Sequence, residues 1–219
     1  MDYRAGAPRP TSCNVVSDSV HQGCRSRPKG TFELNVYLCP ALEAPIESVE
    51  AERFAARALG WLRQHDIVDG YFDLGLGWYA PGSSSWELMA APCTERRTKG
   101  PSFEYLIIRS GGSPELVPNA HSGSFGIRCP SCGTSLDDAV HDLLGKQRTG
   151  ELLDVLAESL SCEACSARIE PSALPQDVVA VTSHYLNFCH LESSSLSAAA
   201  MASLEAAVGC RLRCIAERL

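Results

Sequence analysis

Two Cys-x-x-Cys pairs, Cys129-Pro130-Ser131-Cys132 and Cys162-Glu163-Ala164-Cys165, are separated by 29 residues and constrain this chain more than any other feature. A two-residue spacer lets both sulfurs of one tight turn reach the same ion, and four thiolates suit the tetrahedral preference of Zn²⁺. The expectation is a structural Cys₄ zinc site built from Cys129, Cys132, Cys162 and Cys165. Gly133, directly after the first pair, permits the positive φ at which backbone N–H groups turn toward the sulfurs. Ser166 occupies the matching place after the second pair, which predicts a looser second loop. A chain of 219 residues can bury a full hydrophobic core unaided. The ion is therefore expected to act as a local staple.

Composition limits the classes to which such a staple could belong. Hydrophobic residues make up 45% of the chain and charged ones 21%, and no apolar run approaches the roughly 20 residues of a membrane span. A soluble protein with no membrane association is expected. The Met1 end has no apolar stretch of the secretory type, so the eleven cysteines read as reduced thiols of a cytoplasmic protein. Beyond the four assigned to metal, Cys13, Cys24, Cys39, Cys93, Cys189, Cys210 and Cys214 read as small hydrophobes wherever apolar neighbours flank them. Net charge is −7, and between Gly126 and Pro171 four basic residues face eight acidic ones. That segment would repel a phosphate backbone, which argues against nucleic acid and for a protein partner with a basic surface.

The order of periodicities predicts an α+β fold: an antiparallel meander sheet covered by helices, with the cysteine module inserted into it. Residues 1–29, rich in Pro, Ser, Arg and Gly, read as a flexible tail. Residues 30–124 form the first part of the sheet domain, 125–171 the zinc-binding insertion, and 172–219 the C-terminal return. Within the first part, Thr31 to Leu38 alternates as a strand and Ile46 to His65 has helical spacing. Strands are then expected over Tyr71 to Tyr79, Trp86 to Ala91, Phe103 to Arg109 and Glu115 to Val117. Between the cysteine pairs, Leu136 to Leu144 and Glu151 to Leu160 read as a helical hairpin broken at Gly145 to Gly150. After Pro175 come extended runs at Asp177 to Thr182 and Tyr185 to Leu191, an Ala-rich helix from Ser193 to Val208 stopped by Gly209, and a last strand at Cys210 to Ile215.

Cys129-Pro-Ser-Cys132-Gly133 and Cys162-Glu-Ala-Cys165 resemble the zinc-ribbon class, over about one fifth of the chain. The resemblance implies a metal-held fold that often presents a binding surface; it carries no activity with it. The 29-residue gap is also similar to that of rubredoxin, an iron electron carrier, but rubredoxins wrap their metal in aromatics and none lies between Gly133 and Arg168.

Other chemistry is sparse. Four cysteines close a coordination shell, whereas catalytic zinc keeps a position open; His141 reads as an exposed helical residue, not a ligand. Cys189-His190, His184 and His65-Asp66 offer nucleophile and base types, but strand neighbours project to opposite faces, so Cys189 and His190 are not expected to pair. Arg96-Arg97-Thr98-Lys99 reads as a solvated hairpin tip. The stretch Gly75-Leu-Gly-Trp-Tyr-Ala-Pro-Gly82, with Trp86, holds the aromatic types that anchor protein interfaces. The reading is a non-enzymatic cytoplasmic zinc protein that recognises a protein partner, of which a bacterial toxin-neutralising immunity protein facing a basic toxin is a concrete version. Two alternatives stand beside it. One is a hydrolase-like enzyme whose His65, Asp69, Asp73, His184 and Cys189 meet only in the fold; the other is a nucleic-acid-binding zinc ribbon.

Overall fold

The computed structural model describes residues 34–41, 48–90, 101–119, 124–152, 154–175, 178–191 and 196–218. The predicted tail at 1–29, the basic stretch 96–99, and Cys13, Cys24 and Cys93 lie outside the described residues. The elements are β1 (Leu34–Pro40), α1 (Ser48–Gln64), β2 (Val68–Asp73), β3 (Trp78–Pro81), β4 (Tyr105–Pro118), α2 (Asp137–Thr149), β5 (Leu160–Ser161), β6 (Arg168–Ile169), β7 (Val179–Leu191), α3 (Ala198–Val208) and β8 (Leu212–Arg218).

Alternation sorts β1 between two cores. Val36 and Leu38 are fully buried beneath the helices, while Tyr37 and Cys39 join a smaller cluster with Val117, Ala180 and Ile215. On the helical side α1 presents Ala51, Phe54, Ala58, Trp61 and Leu62 at three- and four-residue spacing, so one stripe is buried against the sheet. α3 adds Leu204 and Val208. It is capped at its start by Ser197, whose hydroxyl accepts from Ala200 N–H, and stopped by Gly209 in the left-handed region. Trp61 Nε1 donates to Ser203 Oγ at 3.0 Å and fastens the two helices to each other.

The sheet has six strands in the order β2-β3-β4-β7-β1-β8, every pairing antiparallel. Strands β2, β3 and β4 are a meander; β7, β1 and β8 extend it through pairings distant in sequence. This is the α+β sheet with helical cover that the periodicities imply, and four local expectations change within it. Tyr71 to Tyr79 is not one strand but β2 and β3 joined by a turn at 74–77. Trp86 to Ala91 is not a strand in its described part: Ser85–Leu88 forms a 3₁₀ turn, because the N–H groups of Ser85 and Glu87 bond to the carbonyls of Gly82 and Ser84. It buries Trp86 and Leu88 together, so an i, i+2 apolar pair imitates a strand.

The other two changes join what sequence divided. From Tyr105 on, the runs at Phe103 to Arg109 and Glu115 to Val117 belong to a single β4, and from Val179 on, those at 177–182 and 185–191 belong to a single β7. Where Ser110 pairs with His184 and Glu115 with Thr182, β4 carries extra residues, absorbed by Gly111 and Gly112 at φ 82° and 87°. Opposite them, Thr182 Oγ1 donates to His184 C=O and accepts from His184 N–H. Alternation changes phase there: Ala180 and Tyr185, an odd number of residues apart, pack with the same small cluster. Turn residues in both runs therefore mark bulges, not strand ends.

Among the described residues no helix is long and apolar enough to cross a membrane.

Candidate metal centre

The two cysteine pairs sit on two loops built alike. Before and after the first, Arg128 and Ser135 form an antiparallel bridge; the second joins β5 to β6, where Leu160 pairs with Ile169 and Ser161 with Arg168. In the first loop Cys129 N–H donates to Thr134 C=O (2.8 Å) and Gly133 N–H to Cys129 C=O (2.8 Å). In the second, Cys162 N–H donates to Ala167 C=O (2.9 Å) and Ser166 N–H to Cys162 C=O (2.7 Å). Gly133 has φ 75° and Ser166 φ 59°. The expected looser second loop is thus corrected: Ser166 accepts the left-handed conformation that glycine adopts freely, and the hydrogen bonds are as short.

These loops bring all four sulfurs within 4.8 Å of one another. Cys129 Sγ lies 3.7 Å from Cys165 Sγ, and Cys132 Sγ lies 3.5 Å from Cys162 Sγ. Disulfides would need about 2.05 Å, whereas four sulfurs at about 2.3 Å from one zinc stand roughly 3.8 Å apart at tetrahedral angles. The donor set and its spacing are consistent with a structural metal such as zinc. Each loop contributes one buried cysteine, Cys129 or Cys162, and one exposed, Cys132 or Cys165.

Electrostatics point the same way, because thiols this close cannot all ionise without a cation between them. Cys132 is drawn down to about 6, first by the hydroxyl and N–H of Thr134 and then by its neighbouring thiols. For Cys129, burial opposes ionisation, but the N–H groups of Ser131 and Cys132, together with the Cys162 and Cys165 thiols, outweigh it and bring the thiol below its ordinary range. Cys165 moves the other way: the N–H of Ala167 pulls it down, yet the three other thiols and burial push it up to about 12. Thiols held apart in this manner are what a divalent cation would equalise by deprotonating them all.

One helix, not a hairpin of two, spans the gap between the loops. α2 runs unbroken through Gly145 to Thr149 and ends at Gly150 in the left-handed region, and Asp154 accepts from Leu156 N–H to start only a short 3₁₀ turn at Val155–Ala157. Gly145 is exposed on the helix, so it costs propensity without forcing a break. At the start of α2, Asp137 Oδ1 accepts from Ile127 N–H and Oδ2 from Ser124 Oγ, tying helix to loop. Val140, Leu143 and Leu144 pack with Phe125, Ile127, Leu136, Val155, Leu160 and Ile169 in a core that includes Cys129 and Cys162. His141 is exposed with its ring 4.4 Å from that of Phe125, on the helix surface as expected.

At its far end α2 is bolted to the sheet. Gln147 Oε1 accepts from Leu116 N–H (2.7 Å) and its Nε2 donates to Leu116 C=O (3.3 Å), so a side-chain amide replaces a neighbouring strand on the outer edge of β4. Arg148 forms an ion pair with Glu217 at 2.7 Å, and Glu217 also accepts from Tyr37 OH. Nothing in the residue pattern singled out Gln147; only the pairing of β4 reveals its role.

The other nucleophile and base candidates are dispersed. His65 stacks on Trp61 with Nδ1 2.9 Å from the Trp61 carbonyl, beside a cleft of about 290 Å³ that Glu87, Ser197 and Ser203 also line. Asp73 accepts from the N–H groups of Gly75 and Leu76, and Asp69 is exposed on β2. His184 is 2% exposed, edge-on to Phe54 beneath α1, and burial lowers its pKa. Cys189 is buried beside Tyr105 with its thiol pushed up to about 12 by burial and directed at the Asn187 carbonyl. His190 does not follow simple alternation: it has φ 57° at an extra residue between Phe188 and Leu191, and its ring lies 6.1 Å from that of Tyr105. Of the remaining described thiols, Cys39 is a buried hydrophobe, Cys210 half-buried and Cys214 exposed.

No family model matches the sequence, no curated protein matches it, and no solved structure matches the fold.

Proposed function

We propose that this chain is a non-enzymatic zinc protein whose metal-held module supports recognition of a protein partner. The observation that carries the metal half is the gathering of four sulfurs within 4.8 Å of one another, two from each of two like loops. Cys129, Cys132, Cys162 and Cys165 would hold the ion and fill its four positions, leaving none for a substrate. The zinc-ribbon likeness of the two loops fits this use of the metal, and the absence of aromatics between 133 and 168 favours zinc over an iron carrier.

The partner half rests on charge and surface. A net charge of −7, with an acidic excess in the metal module, favours a basic protein over nucleic acid. A toxin-neutralising role in the cytoplasm is the specific form of this reading, since an inhibitor of that kind has only to cover a basic active site. Elemental analysis of protein purified without added zinc tests the metal: about one zinc per chain is expected. Iron in its place, or no metal together with thiols that all titrate, overturns it. A stoichiometric basic partner in sizing experiments supports the second half, and salt-sensitive binding to nucleic acid instead would refute it.

A further inference from the structure

Of the five large apolar side chains that the described residues leave exposed, four belong to one hairpin: Tyr71, Phe72, Leu74 and Leu76 of β2 and its turn to β3. Leu74 is 78% exposed and Leu76 57%. The turn that displays them is fixed. Asp73 Oδ1 accepts from Gly75 N–H at 2.8 Å and from Leu76 N–H at 3.2 Å. Below it, Trp78 lies flat on Tyr105 with centroids 4.4 Å apart, Phe72 approaches the same ring at 5.3 Å, and Tyr71 stacks on Tyr79 at 5.0 Å.

A fixed turn that holds two leucines in water gains nothing from its own packing. Covering them would release hydrophobic free energy with little ordering cost, which is the logic of a preorganised anchor. Backbone pairing is a poor way to cover this edge, because the register of β2 slips twice, between Val68 and Tyr71 and again between Tyr71 and Asp73. Side chains are the readable surface. Their charged neighbours on the same segment are Asp66, Asp69 and Asp73, all exposed, while the nearby Arg63 is engaged over the Tyr79 ring.

We propose that this hairpin tip is a preformed docking knob: Leu74 and Leu76 enter an apolar pocket of a partner protein whose rim carries lysine or arginine, opposite Asp69 and Asp73. The acidic stripe disfavours a second copy, which would bring like charges together, and an anionic membrane surface. The inference rests on the partner-binding reading above and gives it a place and a chemistry.

The test uses the full chain in its native cells with the photo-crosslinker p-benzoylphenylalanine in place of Leu74, or separately of Val49 or Asp142, exposed on α1 and α2. A discrete adduct with a different protein is expected from position 74. With that protein purified, the Leu74→Asp/Leu76→Asp variant should bind about 100-fold more weakly. Asp69→Lys should slow association and flatten its salt dependence. Circular dichroism and metal content of each variant should match the parent, which separates lost docking from lost folding.

An adduct of two copies, or leucine-dependent sedimentation with phosphatidylcholine/phosphatidylglycerol vesicles, overturns the proposal. So does binding that the double variant leaves unchanged. Adducts from position 49 or 142 without one from 74 would defeat the knob and leave partner binding intact; none from any position would defeat both.

Discussion

The helix-covered side of the sheet and the cysteine module solve the same problem with different means. Between the sheet and helices α1 and α3 lie Phe54, Trp61, Leu62, Phe103, Leu106, Leu186, Phe188 and Leu204, all buried, with aromatic rings such as Phe103 and Phe188 meeting edge to face at 5.1 Å. The module has one helix, one two-residue-stranded hairpin and a core of mainly Leu, Ile and Val, with Phe125 its one buried aromatic. The first region has the larger core and is expected to stand on apolar area; the second shares part of its smaller core, Leu116 and Val179, with the sheet, and a cation shared by four thiolates would add to its hold. All three tryptophans, Trp61, Trp78 and Trp86, lie in the sheet region, so their emission reports on one half of this contrast and is blind to the other.

The largest effect should come from the metal. Zinc binding to small Cys-rich folds is worth roughly 10–16 kcal/mol at neutral pH, so chelation, or Cys162→Ser, should strip amide protection from residues 127–170 in hydrogen exchange. Tryptophan emission should stay that of the folded sheet; loss of both signals together would show that the regions do not stand apart.

Phe188→Ala strikes the other half. Truncating a buried phenylalanine costs about 3–5 kcal/mol, so urea melts followed by tryptophan emission should shift to a much lower midpoint. Zinc content below the transition should be unchanged. A melt that keeps its midpoint would mean the sheet core is not the self-sufficient one.

Gln147→Ala probes the bolt between the regions. It leaves the N–H and C=O of Leu116 without their partner at a cost of about 1–3 kcal/mol, and exchange at Leu116 and in α2 should quicken before that of β1. Equal protection throughout would place the coupling elsewhere.

The smallest effect separates the two loops. Ser166→Gly relieves a left-handed φ and should raise module stability by about 1 kcal/mol, while Gly133→Ala should lower it by a similar amount. Competition against a calibrated chelator measures both; a serine loop that weakens on receiving glycine would mean that its hydroxyl, not its backbone, is what the loop needs.

What could be read from the residues alone follows from how far each signal reaches. Cysteine spacing is local, so the four sulfurs were legible in advance, as were α1 from its apolar stripe and the end of α3 at Gly209. Signals that depend on a distant strand were not. Gly111, Gly112 and Ser113 look like a turn until β7 is known to run past them with its own irregularity at Thr182. Others failed locally: Trp86 and Leu88 look like alternate strand positions, but i→i−3 bonds to the Gly82 and Ser84 carbonyls curl the chain into a 3₁₀ turn. Gly145 suggests a break, but a glycine on the exposed side of a helix merely weakens it.

The amide of Gln147 occupies a row of backbone groups that β3 does not reach, since β3 meets β4 only near Leu106. An unsealed β-edge is an invitation to intermolecular stacking. If the ion is what keeps α2 in register, then demetallation swings the seal away, and the apo form should form aggregates through Leu116 even while the rest of its sheet stays folded. The zinc ligands would then guard the solubility of a strand to which they do not belong.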